Sequence, residues 1–363
     1  MGIRVYDFFC GCGGTSAGFQ AAGMEIVLGL DMDTDSRRTF LMNFPQAKFV
    51  SRKIEHFRAE SLTRRVGSRR AHPTDITLFS GCAPCQPFSQ QNKNRDGATK
   101  GQDDRFALLG EFGRFVSYHE PQLVFVENVP GMQRVTEQDG PFFRFLNLLR
   151  RLGYWFDYDV VNALDYGVPQ RRRRLVLIAS KLGPIKIPQP THGPGRHVPQ
   201  YSTVAEWIAG LPPLEPGQDD LLLPNHRAAN LTTINRQRLL QTPAGGSRAD
   251  WPDDLVLNCH RDGHTGHTDV YGRMSWNRHS SALTTKCTSI SNGRFGHPVE
   301  NRAISVREAA RLQTFDMNFR FYGGLNSTSR QIGNAVPVRM ARCFGEAFVS
   351  HIELWYRGEL ARG

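Results

Sequence analysis

The sequence predicts an α/β fold, a doubly wound and mostly parallel sheet carrying a smaller, irregular domain. Three observations lead there. Short apolar strands alternate with helix-like segments through the first half of the chain. The residues suited to chemistry fall at the carboxyl ends of those strands or beside them, the rim where open α/β sheets bind ligands. From about residue 184 the texture changes to proline, glycine and loops.

Taken in order, IRVYDFF is apolar enough for a strand buried on both faces. CGCGGTSAGFQAAG continues it as a glycine loop and a short helix that Gly23 can end. MEIVLGLD and DITLFSG read as further strands, and DDRFALLGEFGRFVSYHE has helical spacing before the strand PQLVFVEN. GPFFRFLNLLRRLG is again helical, and WFDYDVVNAL and RRLVLIAS are strand-like. GPIKIPQPTHGPGRHVPQ is a linker, followed by a loop-rich stretch to about residue 300. The helical SVREAARLQTF comes next, then a loop and helix in SRQIGNAVPVRMARCFGEAFVSHIELW.

Composition narrows the function classes. The 363 residues suffice for one large domain and a second smaller one, and 39% hydrophobic against 22% charged residues argues for a packed core over disorder. No apolar run approaches a membrane span, and MGIRVYDFF enters a strand at once without signal-peptide architecture, so a cytoplasmic location is expected. The formal net charge of +11 suits a polyanionic partner, nucleic acid first, although an unspecialised basic surface accounts for charge equally well. Seven scattered cysteines, an odd number, do not suggest a disulfide framework.

The loop DFFCGCGGTSAGF follows a strand and opens a helix, where glycines let a ligand approach the backbone. Ser16 stands where the dinucleotide fingerprint has its third glycine, and no lysine is present for a P-loop. Asp31 ends the next strand at the distance where an acid holds ribose hydroxyls. That pattern describes a nucleoside site without a pyrophosphate cradle; a tight turn with no ligand fits the loop nearly as well.

In FSGCAPCQPFSQQ, Cys85 lies between Pro84 and Pro87, just after an apolar strand. Proline fixes its own φ and restricts the residue before it, so the thiol is presented from a rigid bend. Such a bend suits a nucleophile and equally a harmless buried cysteine. VFVENVPG places Glu127 and Asn128 at the end of a strongly apolar strand; a carboxylate there is partly desolvated, which suits it to donate a proton. Capping of the next turn is the plainer reading. In YGVPQRRRRLVLI, strand alternation turns Arg172 and Arg174 to one face and Arg171 and Arg173 to the other.

With these motifs in this order, the chain resembles the bacterial type of cytosine-C5 DNA methyltransferases over almost its full length. DFFCGCGGTSAGF resembles the first cofactor motif, GCAPCQPFS the Pro-Cys nucleophile motif and DDRFALLGEF the cofactor-side helix. ENVPGM is similar to the Glu-Asn-Val motif, QRRRRLVLI to the Gln-x-Arg-x-Arg motif, and RAISVREAARLQTF and QIGNAVPV to the two closing motifs. The resemblance implies a class I S-adenosylmethionine-dependent methyltransferase fold. It implies a catalytic domain at 1–186 plus 331–363, and a target recognition domain, including the ninth motif, at 187–330.

The chemistry implied is addition of the Cys85 thiolate to C6 of a cytosine flipped from duplex DNA, with methyl transfer to C5. Glu127 would meet N3, and Arg174, with Arg172 in support, would address O2. The segment SQQNKNRDGATKGQ would close over the base. The cofactor, S-adenosylmethionine, would lie on Phe9, Gly11, Cys12 and Gly14, with Asp31 on the ribose, Met32 and Ile54 on the adenine, and Asn334 and Val336 closing the pocket. Met32 stands where the family often has an aromatic residue, and Lys53 where an acidic one usually meets the adenine amino group. The partners implied are double-stranded DNA, no membrane, and a restriction endonuclease acting separately from a monomeric methyltransferase.

The middle segment YGRMSWNRHSSALTTKCTSISNGRFGHP carries residue types that read base edges and phosphates. CHRDGHTGH (Cys259, His260, His264, His267) fits no standard zinc spacing, so no metal is expected. Cys82 and Cys85 form a CxxC, but it does not open a helix as a redox motif does. A tRNA substrate and a catalytically dead binding protein are the rival readings; the sizeable middle domain opposes the first, and the full set of catalytic residue types opposes the second.

Overall fold

The computed structural model describes residues 2–62, 75–84, 103–131, 140–195, 197–258, 261 and 269–360. Cys85, the whole segment proposed to close over the base, and Cys259, His260, His264 and His267 lie outside the described residues. The chain forms two compact units: Met1–Asn162 with Arg173–Pro190 and Met340–Gly363, and Ala163–Arg172 with Thr191–Arg339.

The first unit is built on a seven-stranded sheet. Its strands are β1 (Ile3–Phe8), β2 (Glu25–Asp31), β3 (Lys48–Ser51), β4 (Ile76–Gly81), β5 (Leu123–Asn128), β6 (Trp155–Asn162) and β8 (Arg173–Ser180). The order is β3-β2-β1-β4-β5-β8-β6, so the direction of winding reverses between β1 and β4. Strands β1 to β5 are mutually parallel, and every residue of β1 and β5 is buried, as a sheet covered on both faces requires. β8 runs antiparallel to both β5 and β6. Only Ala163–Arg172 separates β6 from β8, too short for the crossover a parallel pair needs.

Helices cover the two faces. α1 (Gly14–Ala21), α2 (Thr34–Asn43), α3 (Asp103–His119) and α4 (Pro141–Arg151) follow successive strands, and the helix Val338–Tyr356 closes the chain. α4 starts with proline in its first turn and buries Phe142, Phe145, Leu146 and Leu149, the one-face spacing seen in the sequence. On one side of the sheet Phe8 packs against Phe79, Phe112 and Phe115 with ring centroids 5.0–5.3 Å apart. On the other, Phe125 meets Phe19 and Phe344 at 5.3 and 5.6 Å.

The second unit has little regular structure: the helices Val204–Ile208, Thr233–Leu240, Val306–Leu312 and Leu325–Asn334, and a two-stranded parallel sheet of β7 (Gln170–Arg171) and β9 (Ser280–Ser281). Loops leave buried carbonyls without ladder partners, and buried arginines supply the missing donors. Arg273 donates to the carbonyls of Leu239, Thr242, His297 and Glu300. Arg307 serves those of Pro224, Asp316 and Phe319. Arg294 holds Gly245 and Gly246. Arg273 and Arg294 belong to the segment the sequence offered to DNA. Arg273 is buried and Arg294, partly exposed, spends its guanidinium on main-chain carbonyls, so part of the basic excess is internal scaffolding.

Arg302 is the extreme case. Fully buried, it meets both oxygens of buried Glu308 at 2.7 Å, Glu300 at 2.8 Å, and the carbonyls of Leu214 and Ala303. Arg302→Met strands the Glu308 charge and is expected to cost roughly 3–5 kcal/mol in urea unfolding. Adding Glu308→Gln should recover part of that loss. Equal stability of the two variants would show the carboxylate to be solvated.

Candidate active site

At the carboxyl end of β1 the chain turns sharply. Phe9 has φ 58° and Gly11 φ 51°; the left-handed region is costly for a bulky side chain, so the loop holds Phe9 under strain. Gly13 has φ 94°, and a Cβ there would lie 2.5 Å from the Phe44 ring, so glycine is needed for conformation and for space. Cys12 is buried, and burial pushes its thiol up to about 12, so it contributes packing and backbone. Gly14 begins α1.

Asp31 ends β2 and closes on this loop. Its Oδ2 accepts from the Gly11 N–H and its Oδ1 from the Asp33 N–H, each at 2.9 Å. Burial pushes its carboxyl up, and the two amides pull against that shift. Each oxygen keeps a further lone pair for a ribose hydroxyl. Met32 follows at 61% exposure, presenting its thioether, while Ile54 is buried and Lys53 exposed. Loop, acid and thioether fit the ribose and base of a nucleoside, with no side chain suited to pyrophosphate. Asn334 and Val336 belong to the second unit, where Asn334 is the exposed last residue of the helix Leu325–Asn334 and Val336 is buried.

Glu127 and Arg174 are brought together by the antiparallel course of β8. Pairing of Glu127 with Val176 and of Asn128 with Leu175 puts the first residues of β8 beside the carboxyl end of β5. There Arg174 Nε lies 2.9 Å from Glu127 Oε1. This close ion pair is the contact that buried Oε1 makes among the described residues. Burial pulls the Arg174 guanidinium down, and the Glu127 charge opposes the shift. A carboxyl group and a guanidinium set side by side can engage a planar ring bearing both donors and acceptors.

The arginine run alternates as expected: Arg171 and Arg173 are exposed, Arg172 is buried and Arg174 half-buried. Arg172, in the second unit, donates to the carbonyls of Leu283, Gly333 and Ala335.

Asn128 and Asp7, to which sequence reasoning gave no task, complete the rim. Asn128 Nδ2 donates to the Ala83 carbonyl at 3.1 Å, and its Oδ1 accepts from the Val129 N–H at 2.8 Å. It therefore anchors the backbone leading into Cys85. The thiol of Cys82 is pushed well up by burial and then by the Glu127 and Asp7 carboxylates, so it stays protonated and is unfit for redox exchange.

Asp7, fully buried at the penultimate position of β1, accepts from Ser16 Oγ at 2.6 Å, and its Oδ1 has no partner among the described residues. An acid ending a buried strand before a glycine turn was the available signal. Burial raises its carboxyl from 3.8 to about 6. The folded state thus binds the proton more tightly than the unfolded chain, and protonation favours folding. This stability is complete below about pH 4 and is lost as pH rises through about 6, roughly 3 kcal/mol in all. Asp7→Asn is expected to remove that slope from urea midpoints measured between about pH 4 and 7. Parallel profiles for the two proteins would show that Asp7 does not titrate differently on folding.

The family described as C-5 cytosine-specific DNA methylase matches residues 3–350. The type II methylase M.HgiDII of Herpetosiphon aurantiacus is 38% identical over 357 residues, covering 96% of each chain. The type II methyltransferase M1.HphI of Haemophilus parahaemolyticus is 32% identical, covering 96% of this chain and 87% of its own. Among solved structures, a prophage-encoded E. coli protein assigned as a DNA modification methyltransferase aligns with TM-score 0.73 at 23% identity, covering 97% of this chain and 99% of that one. The S. pombe Dnmt2 methyltransferase aligns at 0.64 and 14% identity, covering 96% and 99%. At these identities the two structures speak for the fold alone.

Proposed function

The chain belongs to the C-5 cytosine-specific DNA methylase family, and from that premise we propose that it methylates a cytosine flipped out of a specific double-stranded DNA sequence, through a covalent bond between Cys85 and C6. The fold is that of the class I S-adenosylmethionine-dependent methyltransferases, and the enzyme is a DNA (cytosine-5)-methyltransferase. The observation that supports the finer reading is the Glu127–Arg174 ion pair, 2.9 Å apart at the carboxyl end of β5, which sets a carboxyl group and a guanidinium side by side at the rim.

Cytosine C5 is a poor nucleophile until a group adds to C6. Cys85, as the thiolate, forms the S–C6 bond, and the ring electrons move toward C5 and N3. Glu127 donates a proton to N3 as negative charge arrives there, while Arg174 stabilises O2. Arg172 supports Arg174 indirectly. Bound S-adenosylmethionine supplies the methyl group. A base then removes the C5 proton, and its electrons expel Cys85 as the thiolate.

Asp31 holds the ribose, Met32 and Ile54 the adenine, and Phe9, Gly11, Cys12 and Gly14 shape the loop around the cofactor, with Asn334 and Val336 as further contacts. The loop–acid–thioether set described above fits that nucleoside. Residues 187–330 serve target recognition. The type II names of the relatives support a restriction-modification setting; in our reading the protein acts there as a cytoplasmic monomer beside a separate endonuclease.

Bisulfite sequencing of plasmid DNA from expressing cells should reveal one methylated sequence context. Duplex DNA with 5-fluorocytosine at that cytosine should then trap a covalent adduct on Cys85, because fluorine cannot leave C5 as a proton does. An adduct on another residue would overturn the assignment of Cys85, and methylation of RNA alone would overturn the substrate.

A further inference from the structure

Within the second unit, Leu283 is held at both of its main-chain groups. Its N–H donates to Gln170 Oε1 at 2.9 Å, and its carbonyl accepts from Arg172 Nη1 at 3.0 Å. Arg172 reaches the end of the helix Leu325–Asn334 directly, and Gln170 reaches it through Gln313. Arg172 Nη2 donates to the carbonyls of Gly333 and Ala335 at 3.1 and 3.3 Å. Gln170 Nε2 donates to Gln313 Oε1 at 3.0 Å, and Gln313 Nε2 donates to the carbonyls of Ile332 and Ala335 at 2.7 and 3.3 Å. All three side chains are buried.

The carbonyls of a helix's last turn have no partner inside the helix. Here Arg172 satisfies one of them and also grips Leu283, and Gln313 satisfies another while linked to Leu283 through Gln170. Gly333 tightens the joint, since a Cβ there would lie 2.1 Å from the Thr284 carbonyl oxygen and 2.6 Å from the Thr285 nitrogen. Two main chains therefore touch with no side chain between them, and a close-packed contact of that kind has no slack.

We propose that Arg172 is a positioning residue that couples cofactor binding to DNA binding by tying residues 333–336 to residues 283–286, without touching the target base. This rests on the assignment of Asn334 and Val336 to the cofactor. On the other side of the tie, Thr285 and Lys286 are exposed and offer a hydroxyl and an ammonium, groups that hold phosphates. Arginine suits the task because one planar fork serves three carbonyls; a lysine is a point charge on a flexible stem.

The test uses the full chain and a duplex already mapped as substrate. Its affinity is measured with and without saturating S-adenosylhomocysteine, and again on the same duplex with the target base removed. For the wild type, the product is expected to tighten DNA binding about fivefold or more, with DNA tightening product binding by the same factor. In Arg172→Lys the factor should fall toward one on both duplexes. Gln313→Met, which cuts the second tie and keeps the arginine, should shift it the same way and serves if Arg172→Lys does not fold. A wild-type factor of one, or an unchanged factor in both variants, overturns the proposal. A loss confined to the duplex that carries the base would make Arg172 a base contact, which overturns it too. Failure of the cofactor assignment has a separate signature: Asn334→Ala would then leave S-adenosylhomocysteine affinity unchanged.

Discussion

Cys85→Ala is expected to abolish methyl transfer, a loss on the order of a millionfold, as when other enzymes lose the nucleophile of a covalent mechanism. Among the described residues no other cysteine at the rim can substitute, and burial pushes the Cys10 thiol well up. The thiol of Cys12 is pushed up to about 12 by burial, that of Cys82 is pushed well up by burial and two carboxylates, and neither offers a thiolate at neutral pH. Without the sulfur adduct C5 has no electron density with which to attack a methyl group, so binding and orientation alone give little rate. DNA affinity should persist, because most of it comes from phosphate contacts elsewhere. The check pairs a tritiated-methyl transfer assay with a DNA-binding titration. Turnover within about tenfold of the wild type would remove the covalent mechanism, since tenfold is only about 1.4 kcal/mol of barrier.

Glu127→Gln should be the second most damaging change, lowering the rate of a single turnover by roughly 10²–10⁴-fold with DNA affinity little altered. The substitution preserves shape and removes charge. In the wild type, the carboxylate faces the Arg174 guanidinium at 2.9 Å in a buried setting, and that charge offsets the cost of burying the cation. With glutamine the guanidinium loses its counter-charge, and N3 loses the acid that neutralises it as Cys85 adds. The defect should lie in the chemical step, so rapid-quench kinetics is the decisive measurement. A normal single-turnover rate would assign Glu127 to structure.

How much of this was legible in advance can be seen residue by residue. β1, β2, β4 and β5 announced themselves as short apolar runs because a parallel sheet covered on both faces has no polar side. α4 was visible from its apolar face and its opening proline. The placing of Asp31 beside the glycine loop was anticipated because neighbouring parallel strands deliver their carboxyl ends to one rim, whereas its bond to the Gly11 N–H came only with the fold. Asn128 was quoted beside Glu127 but given no task, since only the folded chain places its amide on the Ala83 carbonyl. Asp7 went unremarked because its burial, and hence its raised carboxyl, depends on helices that cover the sheet from distant parts of the chain.

The arginines were the least legible. A guanidinium in a loop reads as a surface charge from sequence alone, and the positive balance reinforced that reading. Arg273, Arg302 and Arg307 instead lie inside the second unit, each bound to main-chain carbonyls. No periodic pattern marks such a role, because their partners are carbonyls, which every residue carries.

By itself, the sequence determined the alternation of strand and helix, the fold class, the family and the order of its motifs, since these depend on side-chain pattern along the chain. Tertiary structure alone decided the antiparallel course of β8, the Glu127–Arg174 distance, the inward turn of the arginines and the contact of Gly333 with Thr284. These depend on which distant segments the shared core forces together, and local patterning does not encode that.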